Sequence, residues 1–398
     1  MSHSSLVENL FSLWWIILAA MLAPICALIT RRYIPDVIWL LIFGIIISPY
    51  MLGLSKFTES IEILRELGMG FLFLLAGFEV NTSDMRNKQG RHALITWIIC
   101  FLLAISIGLL FTSGDIHVSV VVAIATTSTA LGTLLPILKD SGMMNLDLGK
   151  ATITHGAYGE LLPIVAMSLL LSTFATWQAS IILIVFSIIS FMIVMIPIRF
   201  IRKTPLLGKA ILTASNTTMQ TTLRITVFIL VTLMLLTAVL KLDIALGAFL
   251  AGILLNVILK SFSPKQGEEI AHKVEIVGFS FLIPIFFITS GMSINLLNVL
   301  ENWQLVLYIL AFIAIIRGFV VYLRERFTNT FSNLSNSKEK IALGLYSATG
   351  LPIIVAVTEI AESSDIIKPD TSAVMITGGA LTVLLFPLIA NLILKQKN

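Results

Sequence analysis

The amino-acid sequence predicts an all-α polytopic membrane protein of about thirteen transmembrane helices, arranged as two inverted-topology repeats with crossing broken helices at spans 5 and 12, N-out and C-in. Three observations predict this. The chain is 57% hydrophobic and only 12% charged, with a mean hydropathy of +0.99, whereas soluble domains are about a quarter charged. Apolar windows of the length a helix needs to cross hydrocarbon recur from end to end. Two of these windows are interrupted, in corresponding places, by small and hydroxyl residues.

The windows fall at approximately 11–30, 35–53, 61–80, 92–112, 117–138, 149–172, 179–198, 222–240, 243–259, 274–294, 303–323, 341–360 and 372–394. The first does not read as a cleavable signal: Glu8 precedes it where a basic region is expected, and Arg31-Arg32 follow it. With the N-terminus outside, 21 of the 26 lysines and arginines fall on cytoplasmic loops. Four (Lys56, Arg65, Lys241 and Lys368) are external, and Arg317 lies within a span. The positive-inside rule expects this asymmetry of a correct count. The predicted location is the bacterial inner or plasma membrane, with the lipid bilayer as the main partner.

The net charge of +4 comes from loop residues and forms no basic face, so a nucleic-acid partner is not expected. Cys26 and Cys100 sit in apolar segments as small hydrophobes and frame no disulfide. The Trp14-Trp15 pair reads as an interfacial anchor. No cofactor motif is present.

The halves resemble each other. Ala76-Gly77-Phe78-Glu79-Val80-Asn81 in span 3 matches Ser290-Gly291-Met292-Ser293-Ile294-Asn295 in span 10. Phe43-Gly44-Ile45 in span 2 matches Ala251-Gly252-Ile253 in span 9. The broken strings are Ala125-Thr126-Thr127-Ser128-Thr129-Ala130 in span 5 and Ser347-Ala348-Thr349-Gly350-Leu351-Pro352 in span 12. An offset of seven spans is odd, so equivalent helices run in opposite directions. The expected organisation is a first repeat over 1–178, a linker helix and basic loop over 179–221, and a second repeat over 222–398.

Between Lys150 and Arg199 the only charge is Glu160. A carboxylate near mid-bilayer costs roughly 3 kcal/mol on insertion scales, and such residues mark ion or proton sites. Paired broken helices point to a midplane site as well. Glu160 is therefore the expected ion and proton ligand and would be the residue that holds Na+ or K+. Thr127, Ser128, Thr129 or loosened carbonyls would complete an oxygen shell. Gly156 and Ala157, one turn before Glu160, either leave room for an ion or allow close helix packing. His155 is a pH sensor or relay, or a neutral histidine bonded to a neighbouring helix; Tyr158 is read the same way. Thr349 belongs to the second break. Glu79 either draws cations into an inner funnel or is an interfacial carboxylate. Asp36 reads as a first-turn helix charge, and Glu359, Glu362 and Asp365 as acids at the outer end of span 12.

Taken together and in order, several strings resemble the monovalent cation:proton antiporters, which include Na+/H+ exchangers and a Kef-type branch. They are Leu74-Leu75-Ala76-Gly77-Phe78-Glu79, Thr126-Thr127-Ser128-Thr129-Ala130, Gly247-Ala248-Phe249-Leu250-Ala251-Gly252, Pro284-Ile285-Phe286-Phe287, Arg317-Gly318 and Ala348-Thr349-Gly350-Leu351-Pro352. The resemblance implies a homodimer in which a core bundle (spans 4–6 and 11–13) slides against a scaffold. It further implies that a carboxylate on span 6 carries a proton or a cation, and that Arg317 is a fixed core charge. Many relatives have Asp-Asp or Asn-Asp where this chain has Gly159-Glu160. The place that holds an acid partner for the arginine in relatives is here His155, which leaves Glu160 or helix carbonyls to meet Arg317. The chain closes at Lys395-Gln396-Lys397-Asn398 with no appended nucleotide-binding domain, so control by such a ligand is expected from another subunit.

A desolvated carboxylate prefers to be protonated, while a bound cation favours its charged form. Competition for Glu160 therefore predicts secondary active exchange of Na+ or K+ for H+ by alternating access, one for one and electroneutral. An inverted-repeat symporter for a small organic solute and an ion channel are the alternatives. An enzyme is not expected, because the chain has no His-Glu-x-x-His or Gly-x-Ser-x-Gly motif.

Overall fold

A computed structural model describes residues 3–30, 34–79, 85, 87–170, 181–182, 184–192, 221–240, 242–262 and 264–395. Among the described residues there is no strand; the ordered backbone is helical. In chain order the helices are α1 (His3–Ile29), α2 (Asp36–Ile47), α3 (Glu59–Glu79), α4 (Lys88–Phe111), α5 (Ile116–Thr127), α6 (Leu131–Asp140) and α7 (Asp147–Leu170). Helical residues follow over 181–182 and 184–192. Then come α8 (Thr221–Val239), α9 (Ile244–Phe262), α10 (Pro264–Val277), a π turn (Gly278–Leu282) and α11 (Ile283–Met292). The short α12 (Leu296–Glu301) leads to α13 (Trp303–Ile313), a second π turn (Ala314–Phe319) and α14 (Val320–Phe327). The last are α15 (Ser337–Ser347), α16 (Leu351–Ser363) and α17 (Pro369–Lys395).

Where they are described, the apolar windows of the sequence are largely helical, and those at 117–138 and 341–360 are each divided between two helices. The largest difference is ahead of span 10, where residues expected in a loop form α10. Among the described residues, six helical stretches, α4 and α17 among them, are long and apolar enough to cross a membrane.

Helix starts follow local chemistry. Asp115 caps α5, accepting from the His117 and Val118 amides at 2.9 and 3.2 Å. Asn87 caps α4 through the Gly90 amide. Asn336 and Glu339 form a reciprocal capping box on α15.

The chain divides into two compact units. One comprises Met1–Glu62, Asn81–Met167 and Phe287–Asn398; the other comprises Ile63–Val80 and Ser168–Phe286. Burial within the first unit separates its helices. The Ser337–Ser363 stretch has 89% of its apolar window buried, against 28% for Lys88–Phe111. A hydroxyl-rich, broken helix can exist at membrane depth only when it is enclosed by protein, because lipid offers no partner for loose amides.

Each unit contains a close backbone crossing in which each of two glycines faces a carbonyl of the other's helix in the same register. In the first, a Cβ on Gly44 would stand 2.1 Å from the Ile288 carbonyl oxygen, and one on Gly291 would stand 2.4 Å from that of Leu41. In the second, a Cβ on Gly77 would stand 2.2 Å from the Phe249 oxygen, and one on Gly252 2.2 Å from that of Leu74. In all four cases the obstructing carbonyl belongs to the residue three before the partner glycine.

Candidate functional site

The expected breaks in spans 5 and 12 are present and meet within the first unit. Helix α5 stops at Thr127, and the chain resumes helix at Leu131; α15 stops at Ser347 and resumes at Leu351. Ser128 is extended (φ −70°, ψ 154°), and Gly350 lies at φ −145°, ψ 40°. Pro352 in the first turn of α16 fits a helix start, where its missing N–H is not needed.

The two unwound segments satisfy each other. The Ala130 amide donates to the Thr349 carbonyl at 2.6 Å. The one Ser128 hydroxyl proton is shared between the carbonyls of Ala125 (2.8 Å) and Gly350 (3.2 Å). The Thr129 hydroxyl donates to the Ser347 carbonyl at 2.6 Å. The Gly350 amide reaches the Thr382 hydroxyl at 3.4 Å. Trp97 donates from Nε1 to the Thr127 carbonyl at 3.2 Å, tying α4 to the end of α5. All of these hydroxyl residues are fully or almost fully buried.

Helix α7 supplies one more partner for a reason written in its sequence. Pro163 lies inside α7 and has no N–H, so the carbonyl four residues earlier, that of Gly159, loses its helical donor. That carbonyl accepts the Thr129 amide at 2.8 Å. Glu160 is the next residue and is 3% exposed. The absent side chain at position 159 is also explained: a Cβ there would lie 2.2 Å from the Thr129 Oγ1. Gly156 packs against Leu131, whose Cδ2 would be 2.3 Å from an added Cβ. At that position close packing accounts for the small residue.

Arg317 lies on the π turn Ala314–Phe319 and is fully buried. Its Nε donates to the Ser347 carbonyl at 3.3 Å. Its Nη2 donates to the Thr129 hydroxyl at 3.2 Å and to the His155 carbonyl at 3.1 Å. Helix carbonyls, one of the two alternatives open in the sequence, do therefore meet the guanidinium. Placing a cation on the last carbonyl of α15 is favourable, because a helix C-terminus carries partial negative charge. The π turn inserts one extra residue, a device common at functional positions.

The remaining expected residues are distributed as follows. Thr127 donates its hydroxyl to the Ala123 carbonyl at 2.6 Å, and Thr349 to that of Leu345 at 3.2 Å. Tyr158 donates to the Met85 carbonyl at 2.9 Å. Asp36 accepts the Val37 amide at the start of α2. Glu359 accepts from the Ser290 hydroxyl at 3.3 Å. Glu79 ends α3, and its side chain lies outside the described residues.

Sequence reasoning missed Glu325. It lies in an Arg324-Glu325-Arg326 string at the end of α14 that reads as a solvated helix terminus, yet it is 4% exposed. Its Oε1 stands 3.8 Å from His155 Nε2. The hydroxyls of Thr330 and Ser332 beyond it were the only signal, and they are common in loops. The released Gly159 carbonyl was also missed, although Pro163 announces it.

Comparison with known proteins identifies the family and the fold. The family model for the transmembrane sodium/hydrogen exchanger matches residues 17–396. The Na(+)/H(+) antiporter of Enterococcus hirae is 24% identical over 92% of this chain and 93% of its own length. YjbQ of Bacillus subtilis (strain 168) is 21% identical along the whole of this chain, which spans 64% of that protein's length. The structure of the sodium proton antiporter MjNhaP1 from Methanocaldococcus jannaschii superposes with a TM-score of 0.66, covering 98% of this chain and 99% of that one at 20% identity, and so shares the fold. A match that runs almost from end to end, on a chain whose two hydroxyl-rich breaks cross beside a buried glutamate, places this multi-pass membrane protein in the sodium/hydrogen exchanger family of monovalent cation:proton antiporters.

Proposed function

We propose that the protein exchanges a monovalent cation for H+ by alternating access, with proton and cation competing for Glu160. The observation that carries this reading is the position of that carboxylate. It is buried immediately after the residue whose carbonyl accepts from the first break, and within the level of the chain where both helices unwind. Thr127 and Ser128 donate their hydroxyl protons to carbonyls, which leaves oxygen lone pairs for a cation, since a hydroxyl donates once and accepts twice. Thr129 has its hydroxyl engaged by Ser347 and Arg317 and serves mainly to fix the crossing. Na+ is the first choice of cation, because the relatives' names specify it; K+ is the competing assignment.

The four-glycine pattern supports the inverted repeat. If Gly44 and Gly77 of the first half correspond to Gly252 and Gly291 of the second, the Gly44–Gly291 contact maps onto the Gly252–Gly77 contact. Two-fold related halves produce such reciprocity.

One carboxylate taking either one proton or one monovalent cation gives one-for-one, electroneutral exchange. The test is purified protein in proteoliposomes, with internal pH followed after addition of Na+, K+ or Li+. The expected result is a cation-driven pH change in wild type that is lost in Glu160→Gln and unaffected by an imposed membrane voltage. Exchange that persists in Glu160→Gln refutes the assignment.

A further inference from the structure

We propose that His155 and Glu325 form a second proton-binding site, a buried pair that holds one exchangeable proton and relays it between the helix crossing and the 328–336 loop. The inference rests on the exchange reading for its place in transport, but proton binding itself does not depend on that reading.

Both side chains are almost completely buried, and their facing atoms, His155 Nε2 and Glu325 Oε1, are 3.8 Å apart. The other carboxylate oxygen of Glu325 is fixed by two hydroxyls, Ser332 at 2.6 Å and Thr330 at 2.7 Å. Its Oε1 makes no hydrogen bond among the described residues, and neither does His155 Nδ1. Buried polar atoms are nearly always satisfied, so two orphans in one pair require an explanation. A group that gains and loses a proton supplies one, because its hydrogen bonds differ between the two states. The 3.8 Å gap is too long for a hydrogen bond, and it closes to one when a proton on Nε2 or Oε1 is shared.

The location suits a relay. His155 is on α7 five residues before Glu160, and its carbonyl takes the Arg317 guanidinium that clamps the crossing. Glu325 lies eight residues beyond Arg317 on the continuation of the same helix. The hydroxyls that hold it come from the loop that follows. One end of the pair is therefore attached, through the His155 backbone carbonyl, to the frame of the proposed cation site, and the other is held by a loop. Only an N–H or O–H bond forms and breaks.

Other ionisable groups surround the pair. Arg317 and Arg324 come from its own helix, while His92 and Cys100 come from α4, where His92 Nδ1 is 3.4 Å from Arg324 Nη2 and Cys100 lies beside Arg317. Tyr158 and Glu160 come from α7, and Tyr346 of α15 packs in the cluster that contains Val321 and Leu334. Arg317 and Arg324 place positive charge near the pair, which offers one carboxylate and one imidazole to a proton. The added proton is then the change that can move.

Two measurements test this on the full-length protein. First, cation-driven exchange is followed across a pH series in proteoliposomes. Glu325→Gln and His155→Asn should each move the pH of half-maximal exchange by about one unit, as expected for coupled groups that titrate together. The double variant should move no further than either single one, and Glu325→Asp should keep the wild-type midpoint. A midpoint unchanged in either single variant, with only the amplitude lowered, overturns the proposal. Second, infrared difference spectra of protein with labelled glutamate carboxyls are recorded on acidification without cation. A protonated-carboxyl component should appear in wild type, survive in Glu160→Gln and be the component lost in the wild-type-minus-Glu325→Gln difference, while those of Glu160 and of the exposed glutamates remain. If Glu325→Gln does not fold, a shift of this band in His155→Asn takes its place; a band indifferent to both changes overturns the pair. This spectrum needs no transport, so a wild-type protein that shows the band but no exchange defeats the exchange reading alone.

Discussion

Replacing Gly159 by alanine tests the crossing at its tightest point. The added Cβ would sit 2.2 Å from Thr129 Oγ1, 2.5 Å from Thr129 Cβ and 3.0 Å from Arg317 Nη2. None of these atoms can retreat freely: Thr129 is held by Ser347 and Arg317, and Arg317 is fully buried. Overpacking a filled core costs about 1–3 kcal/mol. Moving the Thr129 hydroxyl aside also gives up a bond to a charged group, worth about 1.5–3 kcal/mol. Gly159→Ala is therefore expected to destabilise by about 2.5–6 kcal/mol and to abolish exchange. Thr129→Gly removes the two nearer obstructing atoms and leaves only Arg317 Nη2 at 3.0 Å, so adding Gly159→Ala in that background should cost less than about 1 kcal/mol, the non-additivity of residues in contact. Detergent-solubilised protein unfolded by graded SDS gives the four stabilities. Equal costs for Gly159→Ala in both backgrounds would refute the account of why position 159 carries no side chain.

Two more predictions follow from the same frame. If H+ and the cation exclude each other at Glu160, the apparent KM for the cation should fall as pH rises, approaching about tenfold per unit while the site is mostly protonated and levelling once it is not. Initial exchange rates in vesicles at matched internal and external pH measure this, and a KM that stays flat while only the maximal rate changes would contradict competition. Trp97→Phe keeps the ring but removes the donor to the Thr127 carbonyl. It should destabilise by about 1–3 kcal/mol, the cost of leaving one buried acceptor unpaired, and a loss under about 0.5 kcal/mol would show that the tie is incidental.

What the sequence revealed and what it hid have separate physical causes. The spans were legible because crossing hydrocarbon demands about 20 apolar residues each, and lipid forbids exceptions that are not functional. The breaks were legible for the same reason, since Thr127-Ser128-Thr129 and Ala348-Thr349-Gly350 are strings that a membrane helix avoids unless something encloses them. Glu160 stood out by cost. Glu325 did not, because at the mouth of a helix a charge costs little, and only tertiary structure buries it. The partners of Arg317 were hidden too, since backbone carbonyls leave no mark in a sequence. The pairing of Gly44 with Gly291 and of Gly77 with Gly252 was half legible: the strings matched, but which glycine touches which is a property of helix crossing alone.

The crossing is held by groups that unwinding releases and that find partners across it. The Thr129 amide takes the Gly159 carbonyl that Pro163 sets free, the Ala130 amide takes the Thr349 carbonyl, and the Ser347 carbonyl takes the Thr129 hydroxyl and Arg317. These bonds join α5, α7, α15 and the Arg317 π turn without depending on whether Glu160 holds H+ or a cation. Under the proposed exchange, a frame with that property keeps its shape in both loaded states, so replacing H+ by a monovalent cation alters neither the net charge of the site nor its architecture. The empty, ionised state differs from both: it leaves a bare carboxylate in a region whose surroundings favour neutrality. Its cost falls on the step in which neither ligand is bound, and suppressing that step is what separates coupled exchange from a leak.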